Sequence, residues 1–219
     1  FVFQPSFLKG FSLAVDRFEI EMTDMITSVA RQQAVNLCYD TPDRQLCDAR
    51  TRGAHPLLPG ANYVLLQVNE ALQNVARTTI KGVDLDFRYA LKTGFGDFDV
   101  AALATIYDKA ETLRLTGLPV MDLLGQAGGS TTDQGFIKFT ANGNLGWKLG
   151  NFKANWNLRH IGRADMAIGT TEDGFPKIGS HTYHNIRGAY NVTKSVELYA
   201  GVTNLFDKKP PLFASGTSG

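Results

Sequence analysis

The sequence is poor in the features that mark several large classes of protein. Its 219 residues include only two cysteines and eight prolines, and 22 Lys and Arg offset 21 Asp and Glu, so the net charge is +1. A chain this close to neutral has no general attraction for nucleic acid. No stretch of 18 uncharged apolar residues occurs, which excludes a transmembrane helix. A membrane β-barrel is not excluded, because alternating strands average to a mean hydropathy near zero.

Motifs for catalysis and cofactor binding are also missing. The sequence has no GxxxxGK[ST], GxGxxG or GxSxG segment, the patterns of phosphate sites, dinucleotide sites and nucleophilic serines. His181 and His184 are three positions apart, which places them on opposite faces of a strand and makes a shared metal ion unfavourable. The sequence therefore predicts neither an enzyme nor a bound metal or cofactor.

Alternation of apolar and polar residues is the main positive signal. The clearest runs are Val83 to Leu91, Ile137 to Leu149, Phe152 to Leu158 and Val196 to Val202. A period of two predicts β-strands with one apolar and one polar face. The polar side chains need water, which is either bulk solvent or the lumen of a barrel. The residues assigned to a lumen-facing surface are Asp84, Asp86, Arg88, Lys138, Asn142, Asn144, Asn155, Asn157 and Arg159.

Three segments depart from simple alternation. Leu13 and Val15 open a run whose pattern shifts toward Phe18 and Ile20, where we expect a β-bulge. Residues 23 to 37 carry apolar side chains at helical spacing, which predicts a short helix in a long loop. The segment from 63 to 91 is expected to form one long strand, either continuous or interrupted.

Short and long connectors alternate between the runs. Short ones lie at 9–10, 92–96, 150–151 and 191–195, and long ones at about 23–62, 111–134 and 168–179. In an up-and-down sheet this arrangement places all long loops at one end, as in outer-membrane barrels. The runs of about 11–16 residues also exceed the roughly 5–6 residues of ordinary soluble strands.

Aromatic residues collect beside the short connectors. Rings of this kind gather at membrane–water boundaries, although the aromatic core of a soluble sheet gives a similar pattern. The residues in question are Phe87, Tyr89, Phe95, Phe98, Trp147, Phe152 and Tyr190.

The two cysteines, Cys38 and Cys47, are predicted to form a disulfide, because no metal-site or CxxC spacing surrounds them. A disulfide implies an oxidising compartment. Basic side chains follow in the same loop, where they either contact an acidic ligand or simply face solvent. The candidate ligand contacts in the loops are Tyr39, Arg44, Arg50, Arg52, His55, Arg163 and Phe175.

Four segments together resemble the barrel of TonB-dependent outer-membrane receptors. Gly201 to Asp207, followed by Pro210 and Pro211, resembles the family's "GVxNLFD" strand signature. Lys81 to Phe87 is similar to its "sGvDxxxxY" strand, and Phe11 to Asp16 to its "lslsvDyyxI" strand. The cysteine pair resembles one found in the outer loops of some members.

The resemblance implies an all-β fold, an antiparallel up-and-down transmembrane barrel of 22 strands with a plug in its lumen. Residues 1–219 would then supply about eight strands, the C-terminal part of the barrel, without the plug and the final strand. It further implies residence in the outer membrane of a Gram-negative bacterium, contact with outer-membrane lipid, and TonB-coupled uptake of a scarce ligand such as siderophore-iron, cobalamin or carbohydrate. The TonB energy-transducing complex would act through the plug. The alternatives are a passive porin-like barrel and a soluble extracellular β-sandwich that binds a ligand.

Overall fold

The computed structural model describes residues 1–28, 31–40, 47, 50–57, 60, 62–69, 72–114, 119–127, 135–166 and 177–211. Within these ranges the chain is almost entirely strand. The elements are β1 (Val2–Phe3), β2 (Phe11–Ser28), α1 (Arg31–Asp40), β3 (Arg50–Gly53), β4 (Val64–Val68), β5 (Leu72–Thr93), β6 (Gly96–Leu113), β7 (Met121–Asp122), β8 (Gln126–Ala127), β9 (Phe139–Leu149), β10 (Phe152–Ile161), β11 (Ala164–Met166), β12 (Lys177–Ile178), β13 (His181–Asn191) and β14 (Glu197–Val202). The one helix in the described ranges, α1, is too short to cross a membrane.

The main sheet has the up-and-down order that the connector lengths predict. Its strands run β1-β2-β5-β6-β9-β10-β13-β14, with β7 paired to β6, and the pairings with given register are antiparallel. The all-β antiparallel prediction is therefore confirmed. Smaller sheets join β12, β11 and β8, and β3 with β4. Turns of two residues link β5 to β6 and β9 to β10, and Gly150 takes the left-handed φ of +58° that the second turn requires.

The strand register sorts the alternating residues onto two faces. Asn144 in β9 lies opposite Ala101 in β6 and Asn157 in β10, whereas Leu145 lies opposite Val100 and Trp156. Directly opposed residues share a face of a sheet, so the side chains divide as the sequence predicts. We call these surfaces the polar face, which carries Asn144, and the apolar face, which carries Leu145.

The apolar face is largely exposed. Trp156 is 43% exposed, Ile186 40% and Leu198 62%, and no large side chain in the described part of the chain is completely buried. The two layers of a soluble sandwich would cover such a face across about 10 Å, but nothing in the described ranges does so. The main sheet therefore shows large apolar side chains to its surroundings rather than to a protein core.

One of the expected boundaries is wrong. The predicted helix over residues 23–37 is an extended strand as far as Ser28, and α1 begins only at Arg31. Pairing of the long strand β2 with β5 outweighs a weak helical spacing, because each added strand residue gains ladder hydrogen bonds. Of the two forms expected for the strand over residues 63–91, the structure has the interrupted one, since β4 ends at Val68 and pairs with β3 while β5 starts at Leu72.

The predicted bulge between Val15 and Phe18 is also absent. Phe11 packs against Phe87 on the apolar face, with ring centroids 5.5 Å apart, and Arg17, six residues later, pairs with Asp108 on that same face. Side chains six positions apart lie on the same face of a strand when the alternation between them is uninterrupted. A single bulge between them would place them on opposite faces. The change of pattern is therefore a change of polarity, not of register.

By its contacts the chain divides into two compact units. One contains Phe1–Ile20, Ile80–Glu111 and the chain from Asp122 onward; the other contains Glu21–Thr79 and Thr112–Met121. The first holds the paired strands β9, β10, β13 and β14. The second holds α1 and the β3–β4 hairpin, together with a buried hydrogen bond of 3.0 Å between the Thr78 and Thr112 hydroxyls.

Candidate functional site

A disulfide fixes the end of α1 in the second unit. Cys38 and Cys47 are bonded, with their Cα atoms 5.1 Å apart, as the sequence predicts. The bond links Cys47 to Cys38 in the last turn of the helix, and such a cross-link restricts the unfolded chain more than the folded one. Tyr39, directly after Cys38, is thereby held in place although its side chain is 64% exposed.

Two arginines of β3 lie over the Tyr39 ring. The Arg50 guanidinium carbon is 5.0 Å from the ring centroid and that of Arg52 is 5.7 Å away, both within cation–π range. Arg52 also donates to the Tyr39 hydroxyl and, at 3.0 Å, to the Tyr63 carbonyl oxygen, and Arg50 donates to Cys38 Sγ. We call Tyr39, Arg50, Arg52 and Tyr63 the arginine–tyrosine cluster.

The electrostatics of this cluster are unbalanced. Among the residues that the structure describes, neither Arg50 nor Arg52 forms an ion pair with a carboxylate, and the Arg50 Nη1 atom is buried without a hydrogen-bond partner. Two adjacent positive charges held on one ring repel each other unless an anion lies between or above them. The arrangement can therefore accept a carboxylate, phenolate or phosphate oxygen through charge-assisted hydrogen bonds.

The other predicted loop contacts are placed differently. His55 Nδ1 accepts the N–H of Leu57 at 3.1 Å, which makes His55 part of a local turn. Arg163 belongs to the first unit, where it lines a cleft of about 510 Å³ together with Lys138, Lys177 and Asp165. Arg44 and Phe175 lie outside the described residues.

The residues of β9 and β10 in the set predicted to face a lumen share the polar face. Asn155 donates to Asn144 at 2.8 Å, Asn157 donates to the Gly143 carbonyl at 3.1 Å, and Asn185 donates to Asn157 at 3.2 Å. These bonds form a ladder across β9, β10 and β13 that satisfies amide groups without charge. The register places Asn142 and Arg159 on this face as well.

The β5 residues of the predicted lumen-facing set are paired among themselves and with β6. Arg88 forms two hydrogen bonds with Asp86, at 3.1 and 3.0 Å, and Thr105 of β6 donates to Asp84 at 2.6 Å. Since Thr105 lies on the polar face by its pairing with Thr140, Asp84 lies there too.

An ionic group lies at the short-turn end of the polar face, to which the alternation of the sequence assigns Lys153, Glu197 and Tyr199. Lys153 Nζ is 2.6 Å from Glu197, Arg187 is 3.9 Å from the same carboxylate, and the Arg187 guanidinium lies 4.2 Å from the Tyr199 ring centroid. The group borders a cleft of about 640 Å³ that also includes Asp97. The sequence does not give the position of Arg187 beside Glu197 and Tyr199, because it depends on the pairing of β13 with β14.

Aromatic rings border the same end of the apolar face. Phe11 contacts both Phe87 and Tyr89, and Trp147 packs edge-on against Phe152 at 5.7 Å. The Trp147 indole donates to the Phe95 carbonyl at 2.8 Å. Rings that are apolar with a polar tip suit a boundary between hydrocarbon and water.

In the described ranges, no three His, Cys, Asp or Glu side chains gather in the manner of a metal site.

Comparison with known proteins adds a family to this geometry. The sequence profile of the family described as "TonB dependent receptor-like, beta-barrel" matches residues 1–205. No curated protein matches the chain.

Solved structures with the same fold include receptors from two bacteria. A mutant of the ferric enterobactin receptor PfeA from Pseudomonas aeruginosa is 17% identical, with 95% of this chain and 25% of that chain covered and a TM-score of 0.57. The siderophore receptor PirA from Acinetobacter baumannii is 15% identical, with coverages of 94% and 26% and a TM-score of 0.56. Another PfeA mutant, in complex with enterobactin, is 17% identical, with coverages of 91% and 24% and a TM-score of 0.53. The chain thus spans about a quarter of the length of these receptors.

Proposed function

The chain belongs to the TonB-dependent receptor-like β-barrel family, and from this premise we propose that it is the C-terminal part of the barrel of an outer-membrane receptor for active uptake. The family is one of receptors rather than enzymes. The single observation that carries the proposal is the family match over residues 1–205. A sheet with one exposed apolar face and one hydrogen-bonded polar face agrees with it, because a barrel wall separates lipid from a wet interior.

The two faces give the proposed orientation. The apolar face, with Leu145 and Trp156, contacts the hydrocarbon of the outer membrane of a Gram-negative bacterium. The polar face, with Asn144 and Arg159, lines the lumen against the plug domain of the complete receptor. The TonB complex acts on that plug, so its binding surface lies outside residues 1–219.

We propose that the arginine–tyrosine cluster belongs to the outer surface that first meets the ligand. Arg50 and Arg52 are cations without a carboxylate partner in the described ranges, which favours an anionic ligand such as a ferric siderophore over a neutral carbohydrate. Arg44 and His55 remain proposed contacts in the connector that holds this cluster, and Arg163 and Phe175 remain separate proposed contacts in the connectors after β10. Cobalamin and oligosaccharides remain the other ligand classes to be tested.

The test is uptake by cells that carry the complete gene. A deletion strain and its complemented counterpart are supplied with radiolabelled ferric catecholate, ferric hydroxamate, cobalamin and maltooligosaccharide, each with and without a functional TonB. The proposal requires one probe whose uptake needs both the receptor and TonB, while its binding to the cell surface needs the receptor alone. Uptake that persists without TonB indicates a passive porin instead. A protein recovered from the soluble fraction without detergent indicates a secreted binding module.

A further inference from the structure

The polarity of the two faces exchanges at one level of the main sheet. On the apolar face, the run that ends with Val15 in β2 continues with Arg17 and Glu19, and the run that starts with Val83 in β5 is preceded by Lys81. In β6 the apolar-face residue Ile106 is followed by Asp108. All three strands thus become charged on a face that is apolar nearer the short turns.

The charged residues at this level are bonded to one another across the three strands. Arg17 Nη1 is 3.6 Å from Asp108, and Lys81 Nζ is 2.5 Å from Glu19. The Arg17 side chain is 71% exposed and that of Glu19 is 59% exposed. We call Arg17, Glu19, Lys81 and Asp108 the ionic row.

The opposite face changes in the reverse sense at the same level. Phe18 packs edge-on against Tyr107 with centroids 5.9 Å apart, and Tyr107 against Phe136 at 5.4 Å. The rings meet over Gly82, where a Cβ atom would lie 2.7 Å from the Phe18 ring and 2.6 Å from a backbone oxygen of β6. Below them the same face carries the hydrogen-bonded Asp84 and Thr105.

A change of surroundings from lipid to water explains why both faces of the sheet change polarity at the same level. Charged side chains on the lipid side of a barrel become costly in proportion to their depth in hydrocarbon, so the ionic row belongs outside it. In β6 the apolar run from Phe98 to Ile106 covers about nine residues, which at about 3.3 Å per residue and a tilt near 40° reach roughly 20 Å. That is close to the roughly 25 Å band expected of an outer-membrane barrel, and it starts at the aromatic rings beside the short turns.

We propose that the ionic row marks the upper edge of the lipid-facing band and lies in the polar headgroup layer of the outer leaflet, whose charged and hydroxyl groups are its partners. This inference rests on the proposed function, since it requires a membrane. At the level of the row, the aromatic cluster Phe18, Tyr107 and Phe136 packs the inner side of the wall.

Site-directed spin labelling of the complete receptor in lipid vesicles tests whether the ionic row lies at the upper edge of the hydrocarbon. Single cysteines replace Val15, Val83 or Ile106 below the row and Arg17, Lys81 or Asp108 within it. Cys38 and Cys47 are bonded to each other, and any cysteine of the receptor outside residues 1–219 is first replaced with serine. Oxygen concentrates in hydrocarbon and a nickel chelate in water. We expect oxygen to relax the first three labels and the nickel chelate the second three.

The outcomes separate this inference from the proposed function. If oxygen dominates the relaxation of labels at positions 17, 81 and 108, the ionic row does not mark the upper edge of the lipid-facing band, although the receptor is still a membrane barrel. Nickel-dominated relaxation at all six positions in vesicle-bound protein overturns the membrane placement itself. If a variant of the ionic row does not fold, Glu19→Cys reports on the same level of the same face.

Discussion

Asn204 donates its backbone N–H to the side-chain oxygen of Asn185 at 2.8 Å. This bond joins the turn after β14 to the middle of β13. Asn204 has a left-handed φ of +52°, and its own amide closes the turn by accepting the Lys208 N–H at 2.9 Å and donating to the Lys208 carbonyl at 3.1 Å. The asparagine of the "GVxNLFD" signature therefore has a structural reason to be asparagine.

Asn204→Ala is expected to destabilise this corner by about 1–3 kcal/mol, because alanine loses both side-chain bonds and tolerates the left-handed backbone poorly. Asn204→Gly restores the backbone freedom alone and should recover part of the loss. Hydrogen exchange at the β13 and β14 amides of the complete receptor measures both. Equal protection in wild type and Asn204→Ala would contradict this account.

Leu145→Arg and Asn144→Arg test the assignment of faces. The two positions are adjacent in β9, but the register places Leu145 beside Trp156 on the apolar face and Asn144 beside Asn157 on the polar face. An arginine on the lipid side near the midplane costs about 2–4 kcal/mol, whereas one in a wet lumen costs far less. Denaturant unfolding of the complete receptor in vesicles compares them, and similar shifts for the two variants would count against the faces.

Gly82→Ala tests the aromatic cluster. The added methyl would approach the Phe18 ring to 2.7 Å and a β6 backbone oxygen to 2.6 Å, and overpacking of this kind typically costs about 1–3 kcal/mol. Gly143→Ala is the matched control, since the nearest atom to its new methyl is Leu158 Cβ at 3.8 Å. We expect the unfolding midpoint to fall for Gly82→Ala only. A Gly143→Ala variant that loses as much would show that any strand glycine is equally sensitive.

Loss of the disulfide is expected to weaken the second unit without affecting the main sheet. Replacing both Cys38 and Cys47 with serine releases a short loop, which by chain entropy is worth about 2–3 kcal/mol. Amide exchange in α1 should accelerate accordingly, while exchange in β9 and β10 stays as in the wild type and serves as the internal control. Acceleration in all of these elements would mean that the bond supports the whole chain.

Arg50→Ala and Arg52→Ala should each lower the affinity for an anionic ligand by about tenfold or more, since a hydrogen bond to a charged group is worth about 1.5–3 kcal/mol. Arg17→Ala removes an exposed cation outside the cluster and should leave binding unchanged. Binding of the radiolabelled ferric siderophores to whole cells measures the effect. Because exposed charges are screened by salt, added salt should weaken the wild type more than the double variant; equal sensitivity would place the ligand elsewhere.

Most of the fold could be predicted from the alternation of apolar and polar residues, because this alternation is a property of each strand by itself. The faces of Asn144, Leu145 and Trp156 follow from odd and even numbering, and the two-residue turn at Gly150 from its composition. The start of α1 did not follow, because Met25 and Ile26 fit a helix and a strand alike until the partner strand is known.

The arginine–tyrosine cluster shows where sequence reasoning stops. Cys38 and Cys47 were predictable as a pair, and Arg50 and Arg52 as nearby cations. Their stacking on Tyr39 depends on the pairing of β3 with β4 and on the position of the helix end, neither of which has a local signal. In the sequence of β2 alone, the change from apolar to charged residues at Arg17 has the pattern of a β-bulge. It can be recognised as a change of polarity only when the neighbouring charges of Lys81 and Asp108 are known.

The tight hairpin between β9 and β10 has a consequence for how this gene can vary in length. Because its two-residue turn fixes the register, losing one codon between Phe152 and Asn155 would move Asn155 to the apolar face and Trp156 to the polar face. Losing two neighbouring codons would keep every remaining side chain on its own side. Insertions and deletions within these strands should therefore survive selection in even numbers, while loops accept any number.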